Sequence, residues 1–258
     1  MTALPTISLI FVNYRSLWAL TRALESLAIQ EGEVPTYEVI VVNNDEREAR
    51  ALTTLAKQFS FRLLQAPKNE GFGAGVNRGV EQAEGIIIGI LNPDTCFREP
   101  LFRKIQSLLT ESPQAVYAPT LIRPSGEQEA DSFGLAPTLS RIFSHHLGLN
   151  NKEIESPEWM SGAALFLTKE RFLLLRGFDP EYFLYFEDVD FCLRAKSAGS
   201  VLVRLPETLI HVGGQSFPSR RAQKSYYYRA QRRYFETYRP QLETQCLRWL
   251  QRLVIPGL

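Results

Sequence analysis

The sequence predicts an α/β fold with a mostly parallel central sheet, and three observations carry that expectation. Short strand-like runs recur over residues 7–12, 37–42, 61–65 and 86–91, three of them rich in Ile or Val. Between them lie stretches with helical spacing, as in Leu17, Leu20, Leu24 and Leu27. Strands and helices alternate at the spacing of right-handed crossovers, which gives a parallel sheet.

With 258 residues, 45% hydrophobic and 22% charged, the chain fits one large domain or one domain with an appended tail. A net charge of +1 selects no partner by itself. Cys96, Cys192 and Cys246 are far apart and form no CxxC pair, which points to a reducing compartment without disulfides. The first residues lack a basic stretch and a cleavage site. No apolar run approaches the roughly 20 residues that span a bilayer. A cytoplasmic protein is expected, with peripheral attachment to the inner face of the membrane left open.

The strand over 7–12 closes at Asn13-Tyr14-Arg15-Ser16, and Ser16 is placed to cap a helix over 17–29. The strand over 37–42 ends in Asn43-Asn44-Asp45, before a charged helix over 46–59. After the strand at 61–65, a glycine cluster, Gly71-Phe72-Gly73-Ala74-Gly75, leads into a helix reaching about Ala83. It lacks a glycine at Val76 and follows the third strand, which disfavours a nicotinamide dinucleotide. Its glycines let a helix start close to a ligand or a neighbouring strand. The strand over 86–91 ends in Asn92-Pro93-Asp94, where Pro93 cannot donate to a ladder. In isolation that motif is a turn with an incidental carboxylate. However, Asn13, Asn43 to Asp45 and Asp94 all lie at carboxyl ends of strands, where open α/β sheets bind ligands. Together they point to a nucleotide-type ligand.

The second half reads as a helix over 101–109, a strand over 115–122 and a polar, irregular stretch over 123–150 containing His145 and His146. The paired histidines have no further ligands nearby and read as a solvated loop. A strand follows over 159–167, then a turn at Phe178-Asp179-Pro180. Glu187, Asp188 and Asp190 open a helix that Gly199 ends. Acids in a first turn suit the helix dipole. Here five apolar or aromatic residues precede them, so they border an apolar wall, where a carboxylate's pKa rises and it can act as a base. After a strand over 200–205 comes His211-Val212-Gly213-Gly214; by itself His211 is an ordinary structural histidine with room for something to approach. From 219 to 239, seven basic residues interleave with six aromatic ones. Two readings stay open: contact with a membrane surface or nucleic acid, or an aromatic stripe packed on the domain with a solvated basic face. Leu247, Trp249, Leu250, Leu253, Val254 and Ile255 add apolar surface. Nothing in the core supports a nucleic-acid partner.

Taken together, seven motifs resemble the inverting glycosyltransferases of family 2, which have the GT-A fold, and within them the rhamnosyltransferase branch most. They are residues 7–14, Val41-Val42-Asn43-Asn44, residues 69–79, Leu91 to Thr95, Trp159 to Ala163, Phe186 to Phe191 and His211 to Gly214. The resemblance covers about 7–238. It implies a catalytic domain over 1–218, with a nucleotide-binding half at 1–97 and an acceptor-binding half at 98–218, and a C-terminal helical tail at 219–258. It implies that Asn13, Asn43, Asp45, Gly71, Asn77, Asn92 and Asp94 meet a nucleotide-sugar donor. This chain departs from the family's common pattern at Asn43 and Asn92, where many members carry Asp. A divalent metal, Mg²⁺ or Mn²⁺, would be held by Asp94 and His211. Asp188 would be the catalytic base with Glu187 supporting it, and Trp159, Ser161 and Gly162 would wall the sugar and acceptor. The expected reaction moves L-rhamnose from dTDP-L-rhamnose to a saccharide or lipid-linked saccharide in cell-surface polysaccharide synthesis. Another donor such as a UDP-hexose, or a non-catalytic nucleotide-sugar-binding module, is the alternative.

Overall fold

A computed structural model of the chain describes residues 5–30, 32, 35–146, 148, 154–213 and 220–254. The side chains of His145 and His146, and residues Gly214, Ser219 and Ile255, lie outside that description. The first half runs β1 (Ile7–Asn13), α1 (Leu17–Ser26), β2 (Tyr37–Asn43), α2 (Ala49–Phe59), β3 (Arg62–Gln65), α3 (Phe72–Glu81), β4 (Ile87–Leu91) and β5 (Thr95–Phe97). The second half adds α4 (Phe102–Glu111), β6 (Val116–Ile122), β7 (Phe133–Gly134), α5 (Leu139–His146), β8 (Trp159–Met160), β9 (Ala164–Thr168), α6 (Lys169–Leu174), α7 (Glu187–Ser197) and β10 (Leu202–His211). Two helices close the chain, α8 (Arg220–Tyr238) and α9 (Gln241–Val254).

Eight strands form one sheet in the order β3-β2-β1-β4-β9-β6-β10-β5. β1, β2, β3 and β4 run parallel, and β10 runs parallel to β6. β9 is antiparallel to both of its neighbours, and β5 to β10. The carboxyl ends of β1, β2, β4, β6 and β10 therefore share one edge, where the antiparallel β9 begins, with Ala164 beside Leu91. Every residue of β1 is buried because helices cover both faces. One core holds Leu20, Leu24, Leu52, Phe102 and Ile105 from α1, α2 and α4. The other holds Val76, Val80, Phe172, Phe191 and Ala195 from α3, α6 and α7.

Several elements differ from the sequence reading. The strand expected over 159–167 is split, because residues 161–163 leave the ladder to make site contacts described below. The last sheet strand extends through His211, past an irregularity between Leu205 and Thr208. The stretch 123–150 is not irregular throughout: it contains β7 and α5, whose short lengths leave little periodicity to read. Ser16 precedes α1, but its hydroxyl does not cap the helix and donates to Asn13 Oδ1 at 3.1 Å instead. The Glu48 carboxylate accepts from the Ser16 N–H at 3.2 Å in its place.

The glycines of α3 are explained by packing. A Cβ on Gly75 would lie 2.7 Å from Val12 Cγ1, and one on Gly79 2.5 Å from Ile10 Cγ2. The helix thus lies close against β1. At Gly71, where φ is +93°, a Cβ would lie 2.1 Å from the Phe183 carbonyl oxygen. That contact brings the segment preceding α7 against the start of α3. The C-terminal helices are also joined to the domain: Tyr182, Phe186 and Val189 share a third core with Ala230, Tyr234, Phe235 and Leu247.

Candidate active site

Along the shared sheet edge, the candidate residues fall into three groups. The first closes β1 and β2. Asn13 and Asn43 are fully buried, and the Asn13 amide donates to Asn43 Oδ1 at 3.0 Å and to Glu48 Oε2 at 2.8 Å. The Asn43 amide donates to the Asp45 carbonyl at 2.7 Å and to Gln65 Oε1 at 2.8 Å. Both amides thus spend their N–H groups inside the protein and brace the two strand ends against each other. Asp45 accepts from the Arg47 N–H and side chain, each at 3.2 Å, and pairs with Arg15 at 3.4 Å. Burial opposes its ionisation, but these partners prevail and hold its carboxyl below the ordinary range.

Gly71 and Asn77 do a different job. The Asn44 amide donates to the Gly71 carbonyl at 3.0 Å, tying β2 to the start of α3. Asn77 clamps the backbone of Phe178, donating to its carbonyl at 2.8 Å and accepting from its N–H at 2.9 Å. Their contacts link α3 to its neighbours.

The second group gathers at the turn between β4 and β5. Asp94 Oδ2 accepts from the Gly213 N–H at 3.0 Å, and Oδ1 lies 3.4 Å from His211 Nε2. The Asn92 amide nitrogen lies 3.4 Å from the same ring nitrogen. The antiparallel pairing of Thr95 with His211 makes this meeting possible across 119 residues of chain. On the far side of the ring, Nδ1 lies 2.7 Å from Glu129 Oε2. Burial alone would lower the His211 pKa, but the Asp94 and Glu129 carboxylates push it up to about 9. Glu129 escaped the sequence reading; its one local signal was the Pro124-Ser125-Gly126 turn, which folds the chain back towards β6.

This arrangement suits a divalent ion in part. Oδ1 of Asp94 and Nε2 of His211 face each other, a carboxylate oxygen and an imidazole of the kind that Mg²⁺ or Mn²⁺ accepts. Glu129 sits on the opposite ring nitrogen, so the three residues form a chain rather than a three-ligand shell. Among the described residues, no group of three or more His, Cys, Asp or Glu is arranged to hold a metal. The remaining ligands would have to come from a bound diphosphate and water.

The third group lies at the start of α7. Asp188 Oδ2 accepts from the Gly162 N–H at 2.9 Å, and Oδ1 from the Val189 N–H at 2.8 Å. Glu187 is 5% exposed, and its Oε2 is buried without a hydrogen-bond partner among the described residues. Burial raises the pKa of both carboxyls, and the Asp188 charge raises that of Glu187 further. Asp190, the third acid, faces away: it binds Arg194 at 2.7 Å and the Tyr238 hydroxyl at 2.6 Å.

Residues 159–163 connect the second and third groups. The Gly162 N–H holds Asp188, while the Ala163 carbonyl accepts from the Asn92 N–H at 2.9 Å. A Cβ on Gly162 would stand 3.2 Å from Phe72 and 3.5 Å from Asp188 Cβ, so a larger residue would crowd the acid. Ser161 accepts from the Ala163 N–H at 3.2 Å. The Trp159 indole donates to the Leu135 carbonyl at 3.1 Å and lies against Gly134. Behind the acids, Tyr185 and Phe186 both have left-handed φ, +70° and +65°. Each such non-glycine residue costs on the order of 1 kcal/mol or more, so neighbours must hold it. Helix α8 supplies them. Gln223 donates to the Tyr185 hydroxyl at 2.8 Å, and Tyr227 and Tyr234 pack on Phe186. The aromatic stripe therefore follows the packing reading, while Arg221, Lys224 and Arg229 are exposed on α8.

Comparison with known proteins agrees with this geometry. The profile described as "Glycosyl transferase family 2" matches residues 8–170. N-acetylglucosaminyl-diphospho-decaprenol L-rhamnosyltransferase of Mycobacterium tuberculosis is 27% identical over 222 residues, 74% of this chain and 71% of that protein. Rhamnosyltransferase WbbL of Escherichia coli is 26% identical over 187 residues, 66% of this chain and 70% of that protein. Among solved structures, GalNAc-T7 with UDP, GalNAc and Mn²⁺ superposes with a TM-score of 0.68 at 14% identity, covering 84% of this chain and 45% of that one. The fold is therefore GT-A, a mostly parallel sheet flanked by helices. With more than half of its length matched by the profile, the chain belongs to glycosyl transferase family 2.

Proposed function

We propose that this glycosyltransferase moves L-rhamnose from dTDP-L-rhamnose to a hydroxyl of a saccharide or lipid-linked saccharide, inverting the anomeric centre, in cell-surface polysaccharide synthesis. The observation that carries the reading is the placement, along one sheet edge, of a half-buried Asp188 with a raised pKa and an Asp94–His211 pair, joined through residues 159–163. The rhamnosyltransferase names of the two relatives support rhamnose as the transferred sugar, and the diphospho-decaprenol in the name of the first supports a lipid-linked acceptor.

In this mechanism Asp188 takes the proton of the acceptor hydroxyl as its oxygen attacks the anomeric carbon. The bond from that carbon to the donor phosphate breaks on the opposite face, and its electron pair leaves with the nucleoside diphosphate. The N–H groups of Gly162 and Val189 fix both oxygens of Asp188 without neutralising it, so the base is oriented before the acceptor arrives. Burial keeps its proton affinity high enough for the task. Glu187 supports it as a neighbouring acid whose own ionisation is disfavoured. A single displacement inverts the centre; a retaining scheme would need a carboxylate nucleophile as well. Asp94 and His211 would hold a divalent ion, Mg²⁺ or Mn²⁺, and the chemistry it would supply there is neutralisation of charge on the departing diphosphate. Asn92 contributes its amide beside them. Asp45, Gly71 and Asn77 frame the nucleotide pocket, with the Asn13–Asn43 pair bracing it from beneath. Trp159, Ser161 and Gly162 form the wall towards sugar and acceptor.

The test is turnover with Mn²⁺ across dTDP-rhamnose, UDP-hexoses and GDP-mannose. Transfer from dTDP-rhamnose with the opposite anomeric configuration in the product supports the full reading. Preference for a UDP-sugar would replace the donor, and donor binding without transfer or hydrolysis would point to a binding module.

We also propose peripheral contact with anionic lipid through the outer face of α9, where Leu242 and Trp249 are exposed beside Arg248 and Arg252. No helix among the described residues is long and apolar enough to cross a membrane. Flotation with anionic liposomes should weaken in Trp249→Ala; equal flotation of both proteins would remove α9 as the contact.

A further inference from the structure

We propose that Glu129 is a positioning residue that sets the tautomer and ring plane of His211; this rests on the metal reading of Asp94 and His211. Glu129 Oε2 lies 2.7 Å from His211 Nδ1, whereas Nε2 is turned towards Asp94 Oδ1, at 3.4 Å. A carboxylate can only accept, so this contact places a proton on Nδ1. In the neutral ring the Nε2 lone pair is then left free on the side of Asp94, the orientation a metal-binding histidine needs. Without Glu129 the imidazole could carry its proton on either nitrogen and rotate about its own axis.

The backbone holds Glu129 as a built feature. Gly126, at φ +89°, lets residues 123–126 turn sharply, with its N–H donating to the Arg123 carbonyl at 2.8 Å. The Arg123 N–H donates to the Glu127 carbonyl at 2.8 Å, and Ile122 bridges Gln128. The Glu129 N–H then donates to the Leu121 carbonyl at 2.9 Å, and the Ser132 hydroxyl to the Glu129 carbonyl at 2.7 Å. On the other side of β6, Ile122 is in register with Ile210, next to His211. A hairpin on β6 thus delivers the carboxylate to the last residue of β10. Asp94 approaches the same ring from the turn between β4 and β5, so two separate parts of the chain hold opposite nitrogens.

The experiment titrates Mn²⁺ calorimetrically, in the presence of dTDP and separately of UDP, into the wild-type protein, Glu129→Gln and Glu129→Ala. Loss of an outer-shell partner should weaken Mn²⁺ binding about 10- to 100-fold in Glu129→Ala. Glu129→Gln should lose less, because its amide oxygen still accepts from Nδ1–H. Imidazole ¹⁵N spectra of the metal-free protein, taken where the ring is neutral, should show one tautomer in the wild type and both in Glu129→Ala. Equal Mn²⁺ affinities in all three proteins, or a single unchanged tautomer in Glu129→Ala, would overturn the proposal while leaving Asp94 and His211 as ligands. Failure of the wild type to bind Mn²⁺ with either nucleotide would overturn the metal reading and this inference with it. If Glu129→Ala does not fold, Glu129→Leu, which fills similar space without an acceptor, decides: a tautomer and Mn²⁺ affinity matching wild type would overturn the proposal.

Discussion

The two ends of the candidate active site shift their titrations in the same direction for opposite reasons. At His211, burial works against the charged ring, and two carboxylates more than offset it, raising the pKa to about 9. At Glu187 and Asp188, burial itself does the raising, because a carboxylate loses its water without gaining a cation. One end is an ion-pair chain that favours charge, the other an apolar pocket that resists it. The proton removal and leaving-group stabilisation proposed for this site would call for two such environments. The comparison teaches that the direction of a shift does not reveal a role; its cause does.

The largest effects are expected at Asp188 and Asp94. Asp188→Asn should lower transfer by about 10²- to 10⁴-fold, the usual worth of a general base, while donor affinity measured by calorimetry stays within a factor of two or so. Transfer that survives the change would remove Asp188 as the base. Asp94→Ala should do the reverse to binding. Metal-dependent nucleoside diphosphate affinity should fall by more than about 100-fold, beyond what an outer-shell partner costs. Unchanged affinity would sink its role as a ligand.

Stability against pH sharpens the contrast in the metal-free protein. His211 has a folded pKa above its unfolded value of 6.5, so its stabilisation is complete below pH 6.5 and is lost as pH rises through about 9. That shift amounts to at most about 3 kcal/mol, and His211→Gln should flatten the melting temperature over this window. Glu187 also has a raised folded pKa, but as an acid it penalises the folded state once pH exceeds its unfolded value near 4.5. Glu187→Gln should therefore stabilise the protein at pH 7 by on the order of 1 kcal/mol, the smallest of these effects and a known kind of trade between stability and function. A Glu187→Gln protein that melts lower than wild type at pH 7 would show that the buried acid is not a liability.

How much was legible differs between the halves of the chain. In the first half, strands and helices alternate in order, and Asn13, Asn43 and Asn92 stand at strand ends as their position in the pattern requires. From β1 to β3, neighbours in sequence are neighbours in the sheet, and β4 returns beside β1. In the second half β9 enters between β4 and β6, and β5 pairs with β10 more than 100 residues later. No local pattern records such pairings. The glycines near Gly71 illustrate the same limit. Their spacing announced a close approach, but only the packed structure reveals that the approaching atoms are Val12, Ile10 and the Phe183 carbonyl. Likewise Tyr226, Tyr227 and Tyr234 announced an aromatic stripe, and the structure supplied its partner, the strained turn ahead of Glu187.

By itself, the sequence determined the α/β class, the polar ends of the parallel strands and the acids that open α7, because periodicity, turn chemistry and charge placement act over a few residues. Tertiary structure decided what those groups do. Asn13 and Asn43 became mutual braces, Asp190 became the acceptor of the Tyr238 hydroxyl, and Glu129 came to rest on His211. Each outcome depends on which distant side chain fills the remaining hydrogen bond. That choice follows from sheet order and burial, quantities that no short stretch of sequence contains.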